Sequence, residues 1–177
     1  PSTGSTGDGY TFAKKAGHSI VDLQPALVGI ELYGSDYVQV QGLTLKNVSL
    51  TAKLGEKTLF NDFGEMIFTH FGISGPIVLS CSSVINRNIN NDINIVIDLK
   101  PALNVDILEN RLLREFRENK GKKLSSVMRS LLPSNLIDIV LKQAKVSGGK
   151  NCSEITVADR GSLVFSLKNL TFKVKKL

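Results

Sequence analysis

Gly64-Glu65-Met66-Ile67-Phe68-Thr69-His70-Phe71-Gly72-Ile73-Ser74-Gly75-Pro76 is the least generic stretch of the chain, and its reading decides the fold. Met66, Phe68 and His70 alternate with Ile67, Thr69 and Phe71, which predicts a short strand with apolar groups on both faces. Gly72 breaks that strand. Ser74-Gly75-Pro76 reads as a helix entrance, with the Ser74 hydroxyl placed to cap free N–H groups and Pro76 in the first turn needing no N–H partner. Ile77 to Ile85 follows as a buried helix, although its β-branched residues keep a strand open. A strand, a glycine pivot and a capped helix would bring several backbone N–H groups to one point, a geometry that suits an anion or a polar ligand edge. The same residues also fit a plain corner inside a small domain, because glycine corners are common without any ligand.

On the N-terminal side of this stretch, residues 26–71 carry a period close to two. Leu27, Ile30 and Leu32 are expected in one strand, and Val38 and Val40 begin the next. Leu43, Leu45, Val48 and Leu50 form a longer run whose phase shifts at Lys46-Asn47, the mark of a bulge. Leu54-Gly55-Glu56-Lys57 is a hairpin turn, and Thr58 to Phe63 is the return strand. Earlier still, Tyr10 to Ala16 reads as a short helix capped by Asp8 or Thr6 and ended by Gly17. His18 to Leu23 is a strand or an extended exit closed off by Pro25.

On the C-terminal side, Ile93, Ile95, Ile97 and Leu99 alternate with Asn94, Val96 and Asp98 in the cleanest strand of the chain. The character changes at Lys100-Pro101. Asn104 caps a helix with Val105, Leu108, Leu112 and Phe116 on one stripe, ended by Lys120-Gly121. Leu124 to Leu132 is a second helix stopped by Pro133, and Ser134 caps a third that runs to Ala144. Ser147 to Cys152 is expected as a flexible loop. A fourth helical stretch covers Val157 to Leu167, and Leu170 to Leu177 returns to strand with Phe172 and Val174 on one face. The fold class is therefore α+β: a small, mostly antiparallel β-barrel closed by the last strand, a capped helix after Pro76, and an inserted bundle of three to four short helices.

The composition is that of an ordinary globular domain, with 177 residues, 42% hydrophobic and 21% charged, and no apolar run long enough for a membrane span. No signal peptide is expected, and the chain starts at Pro1 without an initiator Met, as a piece of something longer would. Cys81 and Cys152 are too far apart in sequence for a metal spacing or a disulfide framework, and reduced thiols point to a cytoplasmic protein. The net charge of +6 invites a nucleic-acid reading, but Arg111, Arg114, Arg117, Lys120, Lys122, Lys123 and Arg129 are interleaved with Glu109, Glu115 and Glu118. Such mixing fits an exposed helix face, and no specific nucleic-acid partner is expected.

Candidate chemistry is sparse. Thr3, Gly4, Thr6, Gly7 and Asp8 form a glycine-rich turn whose backbone could approach a ligand closely, but it lacks the G-x-G-x-x-G pattern and a preceding strand. His18 and His70 lie among apolar neighbours, where a structural histidine is the default. Glu65 is either a partner for His70 or a surface charge. Two scattered His and two scattered Cys exclude a metal site. Phe60, Phe63, Phe68 and Phe71 are expected in the core rather than as a base-stacking platform.

The Gly64–Pro76 stretch resembles the G-E-[ML]-[LI]-F-T-H-x-G-[IL]-S-G-P signature of the BaiN/YhiN-like bacterial flavoproteins, also called aminoacetone-oxidase-family FAD-binding enzymes. Thr3-Gly4-Ser5-Thr6-Gly7-Asp8-Gly9-Tyr10, then Gly17-His18, then Pro25-Ala26-Leu27-Val28, is similar to that family's T-G-S-T-G-D-G-Y…G-H…P-[AS]-L-V run. The resemblance spans the chain but covers only the middle of a family member. It implies a β-barrel and helical subdomain inserted into a FAD domain: 1–25 as the edge of that domain, 26–100 with 170–177 as the barrel, and 101–169 as the helical part. It implies FAD and an NAD(P)H-linked oxidoreductase in the longer protein. Thr3, Gly4, Thr6, Gly7 and Asp8 would lie beside the cofactor, with Thr69, His70, Gly72, Ser74 and Gly75 on the substrate or flavin side. The partner is then the rest of its own chain, with no membrane. The glycine-rich fingerprint and the downstream G-G-V…G-E-V-L-D-type segment are missing, so this chain by itself is expected to hold no FAD and to be inactive. Two other readings stand beside it: a basic barrel that binds nucleic acid, and a purely structural or partner-docking domain.

Overall fold

The computed structural model describes residues 4 and 6–177, and Thr3 lies outside them. Six strands close into an antiparallel barrel: β1 (Ile30–Leu32), β2 (Thr44–Leu54), β3 (Lys57–Phe68), β4 (Gly72–Ser74), β5 (Ile93–Asp98) and β6 (Leu170–Lys176). Around the ring the order is β1-β4-β3-β2-β5-β6, and β6 pairs back onto β1. The alternation in β5 puts Ile93, Ile95 and Ile97 inside, where they join Leu50, Ala52, Met66, Phe68, Ile73 and Phe172. Phe68 and Phe172 meet edge to face across the interior, with ring centroids 5.8 Å apart. The α+β barrel read from the sequence is the observed fold.

The bulge expected at Lys46-Asn47 is present. The β2–β3 register shifts between Leu45 and Val48, and Asn47 takes a left-handed conformation with φ 56°. Asparagine tolerates that region better than most residues. Gly55, at φ 56°, turns the chain where Leu54 pairs with Lys57.

Several local expectations are corrected. Val38 and Val40 are not in a strand: Asp36–Val40 is a 3-10 turn that buries Tyr37 and Val40. Leu27 sits before β1 with φ 54° and is exposed, and His18 to Leu23 has no regular structure. β3 runs on to Phe68, so Gly64 lies inside a strand. Gly72 does not end the sheet; after the tight turn at Thr69–Phe71 it starts β4, where Ile73 pairs with Phe68 and Ser74 with Ile67. A period of two cannot distinguish one long strand from two strands of a hairpin with a three-residue tip.

Helix α1 (Asp8–Lys15) is capped by Gly7 in the left-handed region, not by the Asp8 or Thr6 side chain. Gly17 ends it: the Gly17 N–H donates to Lys14 O and the His18 N–H to Ala13 O. Helix α2 (Pro76–Ile85) follows Gly75, with Pro76 in its first turn as expected. Ser74 makes no cap bond, because it is paired in β4, one residue too early. α2 lies on β3 and buries Ile77, Val78, Cys81 and Ile85.

The excursion between β5 and β6 contains α3 (Val105–Glu118), α4 (Leu124–Val127), α5 (Ser134–Ala144) and α6 (Val157–Lys168). Asn104 caps α3 as expected, its Oδ1 accepting from Ile107 N at 2.8 Å, but Val105 faces solvent. Ser134 is inside α5, not its cap; Pro133 holds that position. The stretch 147–152 is pinned, not flexible: Leu124 N–H donates to Lys150 O, Ser125 N–H to Gly148 O and Cys152 N–H to Lys122 O. The helices are tied to the barrel by Lys168. Its Nζ lies 2.6 Å from an Asp98 carboxylate oxygen and donates to the carbonyls of Lys100 and Leu103. The Gln143 amide adds to the sheet by bonding both N and O of Thr171.

Candidate functional site

The hairpin tip between β3 and β4 is built from backbone and one hydroxyl. Thr69 N–H donates to Gly72 O at 2.8 Å, and Gly72 N–H donates to Thr69 Oγ1 at 3.2 Å. Thr69 is half-buried and holds the turn closed. Phe71 lies against Gly29, where a Cβ would come within 2.8 Å of the ring. His70 at the tip is exposed and stands edge-on to Phe71, ring centroids 5.1 Å apart. Among the described residues neither ring nitrogen of His70 has a hydrogen-bond partner, and no ion pair joins it to Glu65. His18 is exposed as well. The expected structural histidines are therefore both surface groups, because each falls outside the strand or helix that its apolar neighbours belong to. Of the four phenylalanines near the tip, Phe68 is core, Phe60 and Phe71 are half-buried, and Phe63 is exposed.

Packing accounts for the glycines of this corner. A Cβ on Gly64 would collide with Ile77 Cγ2 of α2, and one on Gly72 would collide with Ile30 O and the β1 backbone. At Gly75, φ is 104° and a Cβ would lie 2.9 Å from Met66 Cα. At Gly72 and Gly75 these are close approaches of one backbone to another, which only glycine allows.

The N-terminal arm is different. Gly4 and Gly7 have φ of 80° and 82°, and a Cβ on Gly4 or Gly9 would meet nothing. α1 buries no residue, and Phe12 remains 65% exposed. Thr6, Asp8, Gly9 and Tyr10 are exposed, and Gly7 is half-buried. The arm is fixed only at its end: Leu27 N–H and Val28 N–H donate to the hydroxyls of Ser83 and Ser82, and Asn86 Nδ2 donates to Pro25 O. Among the described residues, no hydrogen bond joins the arm's glycine turn to the hairpin tip.

The remaining chemistry is limited. Burial pushes the Cys81 thiol up to about 12 and raises Cys152 too, so neither is poised as a nucleophile. No group of metal-ligating side chains occurs among the described residues. No helix among them is long and apolar enough to cross a membrane. On the helical part, burial and the neighbouring charge of Arg111 lower the pKa of Lys100.

Residues 24–177 match the family described as the HI0933-like protein barrel and H2TH domain. The chain belongs to this family. The match agrees with the resemblance carried by the Gly64–Pro76 stretch, and the matched region starts within the exposed arm, three residues before Leu27. Over 176 residues the HI0933-like chain is 23% identical to the 3-dehydro-bile acid delta(4,6)-reductase of Clostridium scindens, covering 98% of this chain and 43% of that protein. Over 148 residues it is 29% identical to the ribosomal RNA dihydrouridine synthase of Haemophilus influenzae, covering 82% of this chain and 34% of that protein. The chain thus spans less than half the length of either curated relative.

Sequence reasoning missed two features of the HI0933-like domain. One is the Arg160–Glu109 ion pair at 2.8 Å, which joins α6 to α3 and leaves no sequence signal. The other is the Thr156 cap of α6, whose hydroxyl accepts from Asp159 N while Asp159 accepts from Thr156 N. That capping box was readable as Thr-x-x-Asp.

Proposed function

We propose that the chain is the substrate-side insert of a FAD-dependent, NAD(P)H-linked oxidoreductase, with residues 1–25 at the edge of the FAD domain. In this reading 26–100 with 170–177 form the barrel, and 101–169 the helical cover. The family membership carries the proposal. The names of the two relatives support it, since a delta(4,6)-reductase and a dihydrouridine synthase both add hydrogen to an unsaturated substrate.

The arm supplies the physical support. Phe12, Val21, Leu23 and Leu27 are exposed together on a segment with almost no core of its own. Such apolar surface is costly to leave in water at about 25 cal/mol per Å². The occupant we assign is the rest of the same chain, because more than half of each relative's length lies outside the matched region.

The described residues fit FAD only at an edge. Gly4, Gly7 and the open first turn of α1 leave room for a ligand to approach the backbone, and Asp8 is free to accept from a hydroxyl. The βαβ phosphate site is absent from these residues. When bound, FAD would supply hydride transfer. Within this chain, Gly4, Thr6, Gly7 and Asp8 would border the cofactor. The Thr69–Gly72 tip would hold His70 toward the substrate side, with Ser74 and Gly75 setting the tip's angle.

The test compares two proteins. The full-length protein should purify yellow and consume NADH or NADPH anaerobically, whereas the 177-residue chain should be colourless after gel filtration. A flavin spectrum retained by the short chain, or a full-length protein that binds no flavin, would overturn the proposal.

A further inference from the structure

Leu113, Phe116, Arg117 and Lys120 recur at helical spacing, so they share one side of the C-terminal end of α3. With Ile155 and Arg160 they line a cleft of about 340 Å³ between α3, the Cys152–Glu154 turn and α6. Its floor is apolar: Phe116 is buried, and Leu113 and Ile155 are half-buried. Its rim is cationic, because Arg117 and Lys120 are exposed. None of the residues lining it is a carboxylate.

The charges around this cleft are sorted. Glu109 is held by Arg160 at 2.8 Å and Asp159 by Lys150 at 2.9 Å, while Glu154 accepts from N and Nδ2 of Asn151. Arg117 and Lys120 enter none of the ion pairs among the described residues. The Arg160 side chain is only 13% exposed, and its Nε is fixed on Glu109. The two terminal amino groups of that guanidinium have no partner among the described residues. Backbone carbonyls that would repel an anion here are occupied. Glu115 O accepts from Asn119 Nδ2, Lys120 O from Ser153 N–H and Lys122 O from Cys152 N–H. The last two bonds also pin the turn to the end of α3, so the cleft is formed before any ligand arrives.

We propose that this cleft binds the adenosine 2′-phosphate end of NADPH and so selects NADPH over NADH. The inference rests on the reading of the chain as part of an NAD(P)H-linked oxidoreductase, and it names the hydride donor. A phosphomonoester carries about −1.5 to −2 charges near neutral pH, which calls for more than one cation. Arg117, Lys120 and the unpartnered fork of Arg160 supply them, and guanidinium forks match phosphate oxygens. Nucleotide sites for NADH use a carboxylate on the ribose 2′-hydroxyl, whereas an arginine accommodates the 2′-phosphate of NADPH. This cleft has the second character. Leu113, Phe116 and Ile155 offer an apolar bed for the adenine. The volume lies at the lower end of the about 300–1,000 Å³ typical of small-ligand sites, enough for one nucleoside phosphate and not for a whole dinucleotide. The nicotinamide half therefore extends out of the cleft. A ribose phosphate on adenosine also occurs in coenzyme A, at the 3′ position, and the test separates the two sources.

The test titrates the flavin-loaded full-length protein with 2′,5′-ADP, 3′,5′-ADP and ADP by calorimetry. The 2′,5′ isomer should bind at least about tenfold tighter than ADP, as expected for charge-assisted bonds to one added phosphate. Arg117→Gln/Lys120→Gln should reduce that preference to less than about threefold, and should lower the ratio of kcat/KM for NADPH over NADH in flavin reduction at least about tenfold. Lys173→Gln/Lys175→Gln, at lysines already paired with Asp92 and Glu31, should change the preference less than about twofold. If the double variant melts early, Lys120→Gln alone, at an exposed side chain, should still lower the preference about threefold or more. Full-length protein reduced by NADH as readily as by NADPH, with no preference for 2′,5′-ADP, overturns this site and leaves the oxidoreductase reading intact. A preference that survives in the double variant, or is lost equally in the Lys173/Lys175 control, overturns it as well. Tighter binding of 3′,5′-ADP than of 2′,5′-ADP would overturn NADPH as the ligand and assign the cleft to coenzyme A. Flavin reduced by neither nucleotide would overturn the NAD(P)H-linked reading and this site with it.

Discussion

At the barrel corner, a methyl group on Gly64, Gly72 or Gly75 would strike Ile77, the β1 backbone or the β3 backbone. In the N-terminal arm, a methyl on Gly4 or Gly9 would meet open space. Both stretches carry motif-like glycines, and from sequence both look like ligand turns. In the corner the glycines let β4 slot between β1 and β3 and let α2 approach β3, so the motif is first of all a condition for closing the barrel. In the arm, Gly4 and Gly9 are crowded by nothing among the described residues. The difference teaches that a glycine motif locates close approach of a backbone to something, and that only the surroundings say whether that something is the protein's own sheet or a partner.

The strongest way to break this comparison is Gly72→Val. It combines a φ of 153° with a collision against the β1 carbonyl of Ile30, in the three-residue strand that joins β3 to β1. We expect a loss of about 3–5 kcal/mol in urea unfolding, enough to open the barrel. A variant within about 1 kcal/mol of wild type would show that packing does not fix this glycine.

Gly64→Ala should cost about 1–3 kcal/mol by overpacking against Ile77. Because the obstacle is the Ile77 Cγ2 methyl, Ile77→Ala, which removes it, should recover part of the loss in a double-mutant cycle. Additive losses would place the strain elsewhere.

Helix caps give a third contrast of about 1 kcal/mol. Thr156→Ala and Asn104→Ala should each lose about that much, while Ser74→Ala should stay within about 0.5, since only the first two side chains cap a helix. The α6 cap also has a pH signature. The bond from Lys150 and those from Thr156 hold the Asp159 carboxyl below its usual range. A depressed folded pKa gives stability that is present above the unfolded value near about 4 and is lost as the pH falls through the folded one. Melting temperature should therefore drop more steeply in acid for wild type than for Asp159→Asn; parallel curves would remove the carboxylate from the account.

The smallest expected effect is the sharpest for the arm. Gly9→Ala lies in the first turn of α1 with no neighbour and should leave stability unchanged or raise it by up to about 1 kcal/mol. In the full-length protein the same change should weaken flavin retention during gel filtration. Wild-type retention would mean that the arm's glycines do not border the cofactor.

Sequence alone determined the alternation of β5, the bulge at Asn47, the hairpin at Gly55, the helices after Pro76 and Asn104, and hence the α+β barrel with its helical excursion. Those features depend on side-chain period, turn chemistry and local dihedral preference, all of which act within a few residues. Only the tertiary structure decided that Gly72 opens a strand, that Ser74 is spent on a ladder instead of a cap, and that His70 is pushed out at a tip. Pairing partners for β4 come from β1, some forty residues away in sequence. The charge pattern of α3 likewise read as a mixed, exposed helix face, with no partner named for any one charge. The fold gave Glu109 to Arg160 of α6, because electrostatic partners are chosen by distance in space and not by spacing along the chain.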